Sequence, residues 1–219
     1  MTFGDLKTEV FRRLRETEAS PVFFTGTDVA NALNEAYHEI SDASEWFEIW
    51  RTIDLRHTRP YYDVRTIFPE FEVLTPGAAF HDDTSRWLIP ADTADLDRGI
   101  LRWARTLGQP QFVTRRGLWW IGYWPIIGAE AGTVRQYATA LPPALVDDAD
   151  VPGFPEPFHL GLVEYALADL WPPSGEPTKG VAAWAAYLGY EAGLIEHVGR
   201  RGMVPLRTGH GEDAGVSPW

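Results

Sequence analysis

Few residues in this sequence have the types and spacing that metal coordination or acid–base chemistry needs. His38 and Asp42 lie four residues apart, so both would lie on one face of a helix. Such a pair is more common as a polar surface pair, and we favour that interpretation. His159 and Glu164 lie five residues apart, which is poor spacing for two ligands on one helix. We therefore predict neither a metal site nor a cofactor site.

Glycoside hydrolysis or sugar binding is a second possible chemistry, because it uses paired carboxylates beside aromatic rings. The candidates are four carboxylates and three tryptophans: Asp147, Asp148, Asp150, Glu156, Trp119, Trp120 and Trp124. Nothing in the sequence brings the two groups together. A solvated acidic loop and a packed tryptophan strand are the simpler interpretation.

Glycine motifs for nucleotide or acyl chemistry are also missing from the sequence. It contains neither a P-loop ending in Lys-Ser or Lys-Thr nor a Gly-x-Ser-x-Gly elbow. The short run GHGED at Gly209 lies near the C-terminus and is interpreted as a linker. We therefore predict that the protein is not an enzyme.

The composition is that of a globular chain with an acidic surface. The 219 residues include 31 Asp and Glu against 19 Lys and Arg, a formal net charge of -12. Such a surface repels phosphates, which argues against a module that binds DNA or RNA. The absence of cysteine excludes disulfides and thiolate metal sites. No run approaches the roughly 18 apolar residues of a membrane helix, and we expect a soluble intracellular protein.

Helical periodicity marks both ends of the sequence. Thr2 with Asp5 fits a capping box, and Thr25 or Thr27 can cap a second helix. An apolar helix is predicted over about 157–171, and a last helix begins near residue 178.

Between these helices the apolar period changes to two. The segment 47–56 alternates as a half-buried strand does. QFVTRRGLWWIGYWP predicts a hairpin that turns near Gly117. Both faces of its second strand are apolar, so we expect both to be covered. GTVRQYATA is predicted as the next neighbour of that strand, and TADLDRGILRWARTLG is predicted to hold a short helix.

The order of elements predicts an α+β fold built on a four-helix bundle. Residues 1–46 supply two N-terminal helices and residues 142–199 supply two C-terminal helices. Residues 47–141 form an inserted β-rich lobe, and residues 200–219 form a flexible C-terminal tail.

The helix over 157–171 is apolar around most of its circumference. Such a helix is either central to a large core or pressed against another subunit. Because four helices appear too few to surround it, a subunit contact is favoured over a purely internal core. The candidate interface residues are Phe158, Leu160, Leu162, Val163, Tyr165, Leu167, Trp184 and Leu188.

Three passages resemble the head–tail connector, or adaptor, proteins of tailed bacteriophages. ANALNEAYHEISDASEWFE is similar to their second helix, where an Asn-Glu-Ala-Tyr-like run precedes an aromatic pair and the first strand. GQPQFVTRRGLWWIGYWPIIGAEAGTVRQYATALPPAL resembles their Gly-x-Pro, hairpin and Trp-Pro passage. DDADVPGFPEPFHLGLVEYALADLW resembles their acidic, proline-bounded lead into an apolar helix. The resemblance spans roughly residues 2–200 in order, with little match over 61–105.

This resemblance implies a structural virion protein at the head–tail interface, assembled in the host cytoplasm. Copies would form a homo-oligomeric ring, often of about twelve, below the portal protein. The ring would extend the DNA channel, help to retain the packaged genome and offer the attachment site for the next tail or stopper component. DNA would pass through the lumen without specific binding, and we expect acidic groups to outnumber basic ones there. No catalysis, cofactor or membrane is implied.

The C-terminal segment of such proteins commonly reaches the portal. The residues that would do so here are Arg200, Arg201, Met203, Val204, Pro205, Leu206, Arg207 and Trp219. Two alternatives stay open. One is another tail-completion, tail-tube or tail-terminator protein of the virion, and the other is a carbohydrate-binding or hydrolytic module that uses the tryptophan strand.

Overall fold

A computed structural model describes residues 1–19, 22–57, 59–99, 103–128 and 132–202. These residues form six α-helices and eight strands in two four-stranded sheets. The helices are α1 (Phe3–Leu14), α2 (Gly26–Ser44), α3 (Val64–Ile67), α4 (Thr93–Gly99), α5 (His159–Leu170) and α6 (Pro177–Gly202). The strands are β1 (Glu48–Leu55), β2 (Tyr61–Asp63), β3 (Val73–His81), β4 (Arg86–Trp87), β5 (Ile89–Pro90), β6 (Phe112–Arg116), β7 (Trp120–Trp124) and β8 (Gly132–Ala140). Short 3-10 turns cover Trp103–Arg105 and Glu156–Phe158.

Capping boxes begin the first two helices. The hydroxyl of Thr2 accepts a hydrogen bond from the Asp5 amide, and the Asp5 carboxylate accepts one from the Thr2 amide at 2.8 Å. Thr25 and Asp28 repeat this arrangement at α2, so Thr25 rather than Thr27 is the cap. Each box satisfies backbone donors that a helix N-terminus leaves open, as the sequence predicted.

Helix α5 is the centre of the helical layer. It packs against α1, α2 and α6. Its side chains at Leu162, Val163 and Ala166 are fully buried, in one core cluster with residues of the other three helices. This layer therefore buries an apolar helix with the chain's own residues.

The predicted four-helix bundle is wrong. The described residues form an α+β fold of six helices and two sheets, without the pattern of four matched helices around a common axis. The reason lies in α5, whose nearly continuous apolar surface needs neighbours on several sides and so occupies the centre. The chain covers α5 with its own residues, because Leu145 and Phe154 from the preceding segment join the four helices in one core cluster.

Residues 142–158 join the β-rich lobe to α5 through specific polar contacts with α2. The side-chain amide of Asn34 donates to the Leu145 carbonyl at 3.0 Å and accepts from the Leu145 amide at 2.7 Å. The Gly153 amide donates to the Tyr37 hydroxyl at 2.9 Å. These bonds set the path by which the acidic, proline-rich segment returns the chain to the helical layer.

The lobe consists of two sheets that share one core. One sheet has the strand order β1-β8-β3-β4, and the other has the order β2-β7-β6-β5. Their buried residues, including Ile53, Val134 and Ile121, belong to one cluster. The prediction that GTVRQYATA neighbours the tryptophan strand is wrong. This segment is β8, and it pairs with β1 and β3, where Ile53 stands opposite Val134.

The hairpin predicted at Gly117 is confirmed by the pairing of β6 with β7, and Gly117 has the positive φ of 65° that such a turn favours. The predicted short helix is confirmed as α4. Cover on both faces of β7 is only partly confirmed. Trp124 is buried and contacts Trp103 with ring centroids 4.6 Å apart, whereas Trp120 at the other end is 43% exposed.

A buried amide links the two sheets of the lobe. The Tyr123 hydroxyl on β7 donates to Oε1 of Gln136 on β8 at 2.9 Å. Nε2 of Gln136 donates to the Gly77 and Ala78 carbonyls at 3.1 and 3.2 Å, where the register of β3 shifts between Pro76 and Ala79. Burial raises the pKa of Tyr123 well above its usual value, so its hydroxyl stays a donor. One side chain thus holds β3, β7 and β8 together.

Replacing this amide by an apolar group of similar size, Gln136→Leu, should destabilise the fold by about 2–4 kcal/mol, since the Tyr123 hydroxyl and the carbonyls of Gly77, Ala78 and Tyr137 lose their partner. Tyr123→Phe should cost only about 1 kcal/mol. Chemical denaturation measures both values. The matched control is Gln111→Leu, the same change at an exposed glutamine, which should alter stability by less than about 0.5 kcal/mol. Equal effects of the two glutamine changes would contradict this role.

His159 anchors the first turn of α5 as a neutral imidazole. Its ring is buried, Nε2 donates to the Phe154 carbonyl at 2.8 Å, and Nδ1 lies 3.2 Å from the ammonium group of Met1. An ammonium group only donates, so Nδ1 is the acceptor. Burial lowers the pKa of His159 below its ordinary value of 6.5.

The lowered pKa predicts an acid-sensitive helical layer. A group with a lowered folded-state pKa binds more protons when unfolded, so its contribution to stability is complete above about pH 6.5 and is lost as pH falls toward the folded value. We expect the free energy of unfolding to fall between pH 7 and pH 5, and His159→Gln to reduce that slope. An unchanged slope in His159→Gln would contradict this role of the imidazole.

Candidate interaction surfaces

The residues proposed for chemistry do not converge. Asp148 pairs with Lys7 of α1 at 2.6 Å, and Glu156 pairs with the Met1 ammonium group at 3.2 Å. The three tryptophans lie instead in and beside β7 of the lobe. His38 and Asp42 line one open groove of about 470 Å³, but among the described residues no group of three His, Asp or Glu side chains is placed to hold a metal ion.

The eight candidate interface residues fall into three groups. Leu162, Val163 and Leu167 lie inside the core of the chain. The three partly buried side chains packed against that core are Phe158, Leu160 and Tyr165. Only Trp184 and Leu188 of the eight are exposed. The subunit contact itself stays a prediction, and α6 is the element that offers it a surface.

Helix α6 carries an exposed apolar stripe along one side. Its members are Val181, Trp184, Leu188 and Ile195, which are between 43% and 71% exposed. Their spacing of three, four and seven residues places them on one face of the helix over about 21 Å. We call these four residues the α6 stripe.

Small residues lie between the large members of the α6 stripe. Ala185 and Ala192 are exposed on the same side of the helix. Small side chains let another backbone approach closely, which favours packing against a second element. Sequence reasoning omitted Val181 and Ile195 from the interface, although their helical spacing from Trp184 and Leu188 was a signal for both.

A groove of about 390 Å³ opens at the N-terminal end of the α6 stripe, between α5 and α6. Its residues are Tyr165, Ala168, Asp169, Pro172, Pro177, Gly180, Val181 and Trp184. The floor is aromatic, because the rings of Tyr165 and Trp184 lie 5.7 Å apart. We call it the α5–α6 groove.

One carboxylate, that of Asp169, lines this groove beside Tyr165. Burial raises the pKa of Tyr165, and the negative charges of Glu35, Glu39 and Asp169 raise it further. Among the described residues none of these three carboxylates forms an ion pair. The α5–α6 groove is thus an apolar depression with the unpaired carboxylate of Asp169 in its lining.

The β6–β7 hairpin forms a second exposed apolar feature. At its tip Leu118 is 76% exposed, and Trp119 and Trp120 follow it. The guanidinium of Arg65 lies 5.4 Å from the centre of the Trp119 ring, and that of Arg116 lies 5.5 Å from the Tyr61 ring. We call the segment 115–120 with Arg65 the hairpin tip.

Charge is divided unevenly between the two parts of the molecule. Residues 47–141 contain 11 Lys and Arg and 11 Asp and Glu, so the lobe segment is neutral. The entire excess of acidic residues therefore lies in the segments 1–46 and 142–219. These charge counts can be made from the sequence alone. The fold is needed to show that the acidic segments form the helical layer.

The proposed portal-binding residues lie mostly outside the described part of the chain. Arg200 is in α6, which continues to Gly202, and it pairs with Glu196 at 2.5 Å. The backbone of Arg201 is also helical. Residues 203–219, which hold the other six candidates, lie outside the described residues. None of the described helices is both long enough and apolar enough to cross a membrane.

Comparison with known proteins gives one family. The family model described as SU10 adaptor protein matches residues 1–209. A search of the curated proteins finds no match. The family match spans most of the chain and agrees with the connector resemblance of its helices and hairpin. The chain therefore belongs to the SU10 adaptor protein family and is a structural adaptor of the phage virion, which associates with other head and tail proteins.

Proposed function

We propose that the protein acts as a head–tail adaptor whose copies form a ring of about twelve beneath the portal protein. The ring extends the DNA channel, helps to retain the packaged genome and presents the attachment site for the next tail or stopper component. The observation that carries this proposal is the α6 stripe, an exposed apolar surface on a member of an adaptor family.

The α6 stripe is the proposed contact between neighbouring copies. A cyclic contact is head-to-tail, so the stripe of one copy meets a different surface of the next. Complete burial of a Leu or Ile side chain contributes roughly 1.5–3 kcal/mol. Leu188 and Ile195 are each 44% exposed, so each has about 1 kcal/mol left to gain.

The uneven division of charge supports a channel through which DNA slides without specific binding. The helical segments carry the whole acidic excess, and in this proposal they form the body of the ring. Acidic walls repel phosphates and so prevent adhesion of the genome. The adaptor role requires neither catalysis nor a cofactor.

The native mass of the full chain, alone and after mixing with the portal protein of the same genome, tests the adaptor role directly. We expect a complex of one portal assembly with a fixed number of adaptor copies. If portal and adaptor stayed separate at micromolar concentrations in two independent preparations, the proposal would be contradicted.

The subunit contact predicts that Leu188→Glu combined with Ile195→Glu lowers the number of bound copies by at least about tenfold at subsaturating concentration, because two charges must be buried. The same native-mass experiment measures this loss. Leu107→Glu is the matched control, since it places the same charge at an exposed leucine of the lobe. An undiminished complex of the double variant would exclude the α6 stripe as the contact.

The portal contact is proposed for the C-terminal residues from Arg200 onward. A chain that ends at Gly202 should retain its thermal stability, because the described core lies before that residue, but should bind the portal at least about tenfold more weakly. Calorimetry and binding to the immobilised portal give the two measurements. Unchanged binding by the shortened chain would assign portal contact to another surface.

A further inference from the structure

The hairpin tip has the composition of a binding element rather than of ordinary protein surface. Leu118 and Trp120 are 76% and 43% exposed, although both would gain free energy by leaving water. The guanidinium group of Arg65 lies beside the Trp119 ring of the tip, and that of Arg116 lies beside the Tyr61 ring of the neighbouring strand β2. Tryptophan and arginine together are typical of the centres of protein interfaces. A surface complementary to the hairpin tip would therefore be apolar at its centre and carry negative charge beside it.

The α5–α6 groove has this complementary character. Its floor is formed by Tyr165, Trp184 and Val181, with ring contacts that leave an apolar surface open to solvent. The carboxylate of Asp169 belongs to its lining, and the helical segments that form the groove carry the acidic excess of the chain. An apolar side chain bordered by a cation fits such a groove better than a polar or acidic segment does.

We propose that the hairpin tip of one copy inserts into the α5–α6 groove of a second copy. Leu118 and Trp120 would lie against Tyr165 and Trp184, and Arg116 would approach Asp169 at the rim. This inference rests on the proposed ring, for which it names the surface that meets one end of the α6 stripe. The contact is head-to-tail, since tip and groove are different surfaces of each chain.

Features of both surfaces favour a second copy over duplex DNA as the occupant. A duplex offers phosphates to arginine but no apolar side chain for a groove, and the carboxylate of Asp169 repels phosphates. Leu118 and Trp120 are exposed and lie within four residues of Arg116 on the β6–β7 hairpin. The chain thus carries both halves of one complementary pair.

Disulfide cross-linking tests this contact without background, because the natural chain contains no cysteine. The variants Leu118→Cys and Val181→Cys are purified as full chains, mixed in equal amounts and oxidised under conditions in which copies associate. We expect a disulfide-linked dimer that contains one chain of each variant. A single cysteine per chain cannot form an intramolecular bond, so the dimer reports contact between copies.

The control replaces Val181→Cys by Asp95→Cys, an exposed position on α4. The tip–groove pair should give at least about tenfold more dimer than this control. Equal yields would overturn the proposal. The ring proposal would survive equal yields if Leu188→Glu with Ile195→Glu still reduced assembly. Copies that never associate would contradict both the ring and the tip–groove contact.

Charge exchange provides a second test that does not depend on cysteine geometry. Arg116→Glu in one copy should weaken its dimer with a native groove by about tenfold at low salt, and Asp169→Arg in the partner should restore most of that loss. Failure of the exchanged pair to recover would overturn the contact between these two side chains. The tip would instead be assigned to nucleic acid by three results together. The native chain would bind duplex DNA, Arg116→Glu would abolish that binding, and no tip–groove cross-link would form.

Discussion

The β-rich lobe depends on the buried amide of Gln136. Two four-stranded sheets can share an apolar core at several relative positions, because apolar contacts have little directional preference. The bonds from Gln136 to Tyr123, Gly77 and Ala78 select one of them, since any slip would leave polar groups buried without partners. The same bonds accommodate the irregular part of β3. The hairpin that bears Leu118 is therefore held at a fixed position relative to the rest of the lobe.

The helical layer depends on a different constraint, the burial of α5. With α5 at the centre, α6 packs on it by one side, and the adjoining side with Leu188 and Ile195 is exposed. In a symmetric bundle the apolar residues of each helix would face a shared axis. Placing one helix inside three others instead leaves an outer helix with apolar residues on two sides. A ring subunit needs such surplus apolar surface for its neighbour.

Local features of this fold were predictable from sequence and distant ones were not. Thr2 with Asp5 and the turn at Gly117 each depend on a few adjacent residues, and both predictions are confirmed. The partners of β8 depend on pairing with residues some eighty positions away, for which periodicity holds no information. Likewise, the pattern of apolar residues did not distinguish Leu162 inside the core from Leu188 on the surface. That distinction depends on which side of each helix is already occupied.

The insertion of the lobe between two halves of the helical layer separates those halves widely along the chain. Helices α1 and α2 leave the ribosome more than a hundred residues before α5, the helix that covers their apolar faces. The Asn34–Leu145 hydrogen bonds close that gap only after the whole lobe has been synthesised. A lobe that completes its own core first brings its two ends together and shortens the effective loop between α2 and α5. Folding of the lobe thus lowers the entropy cost of bringing the two halves of the helical layer together.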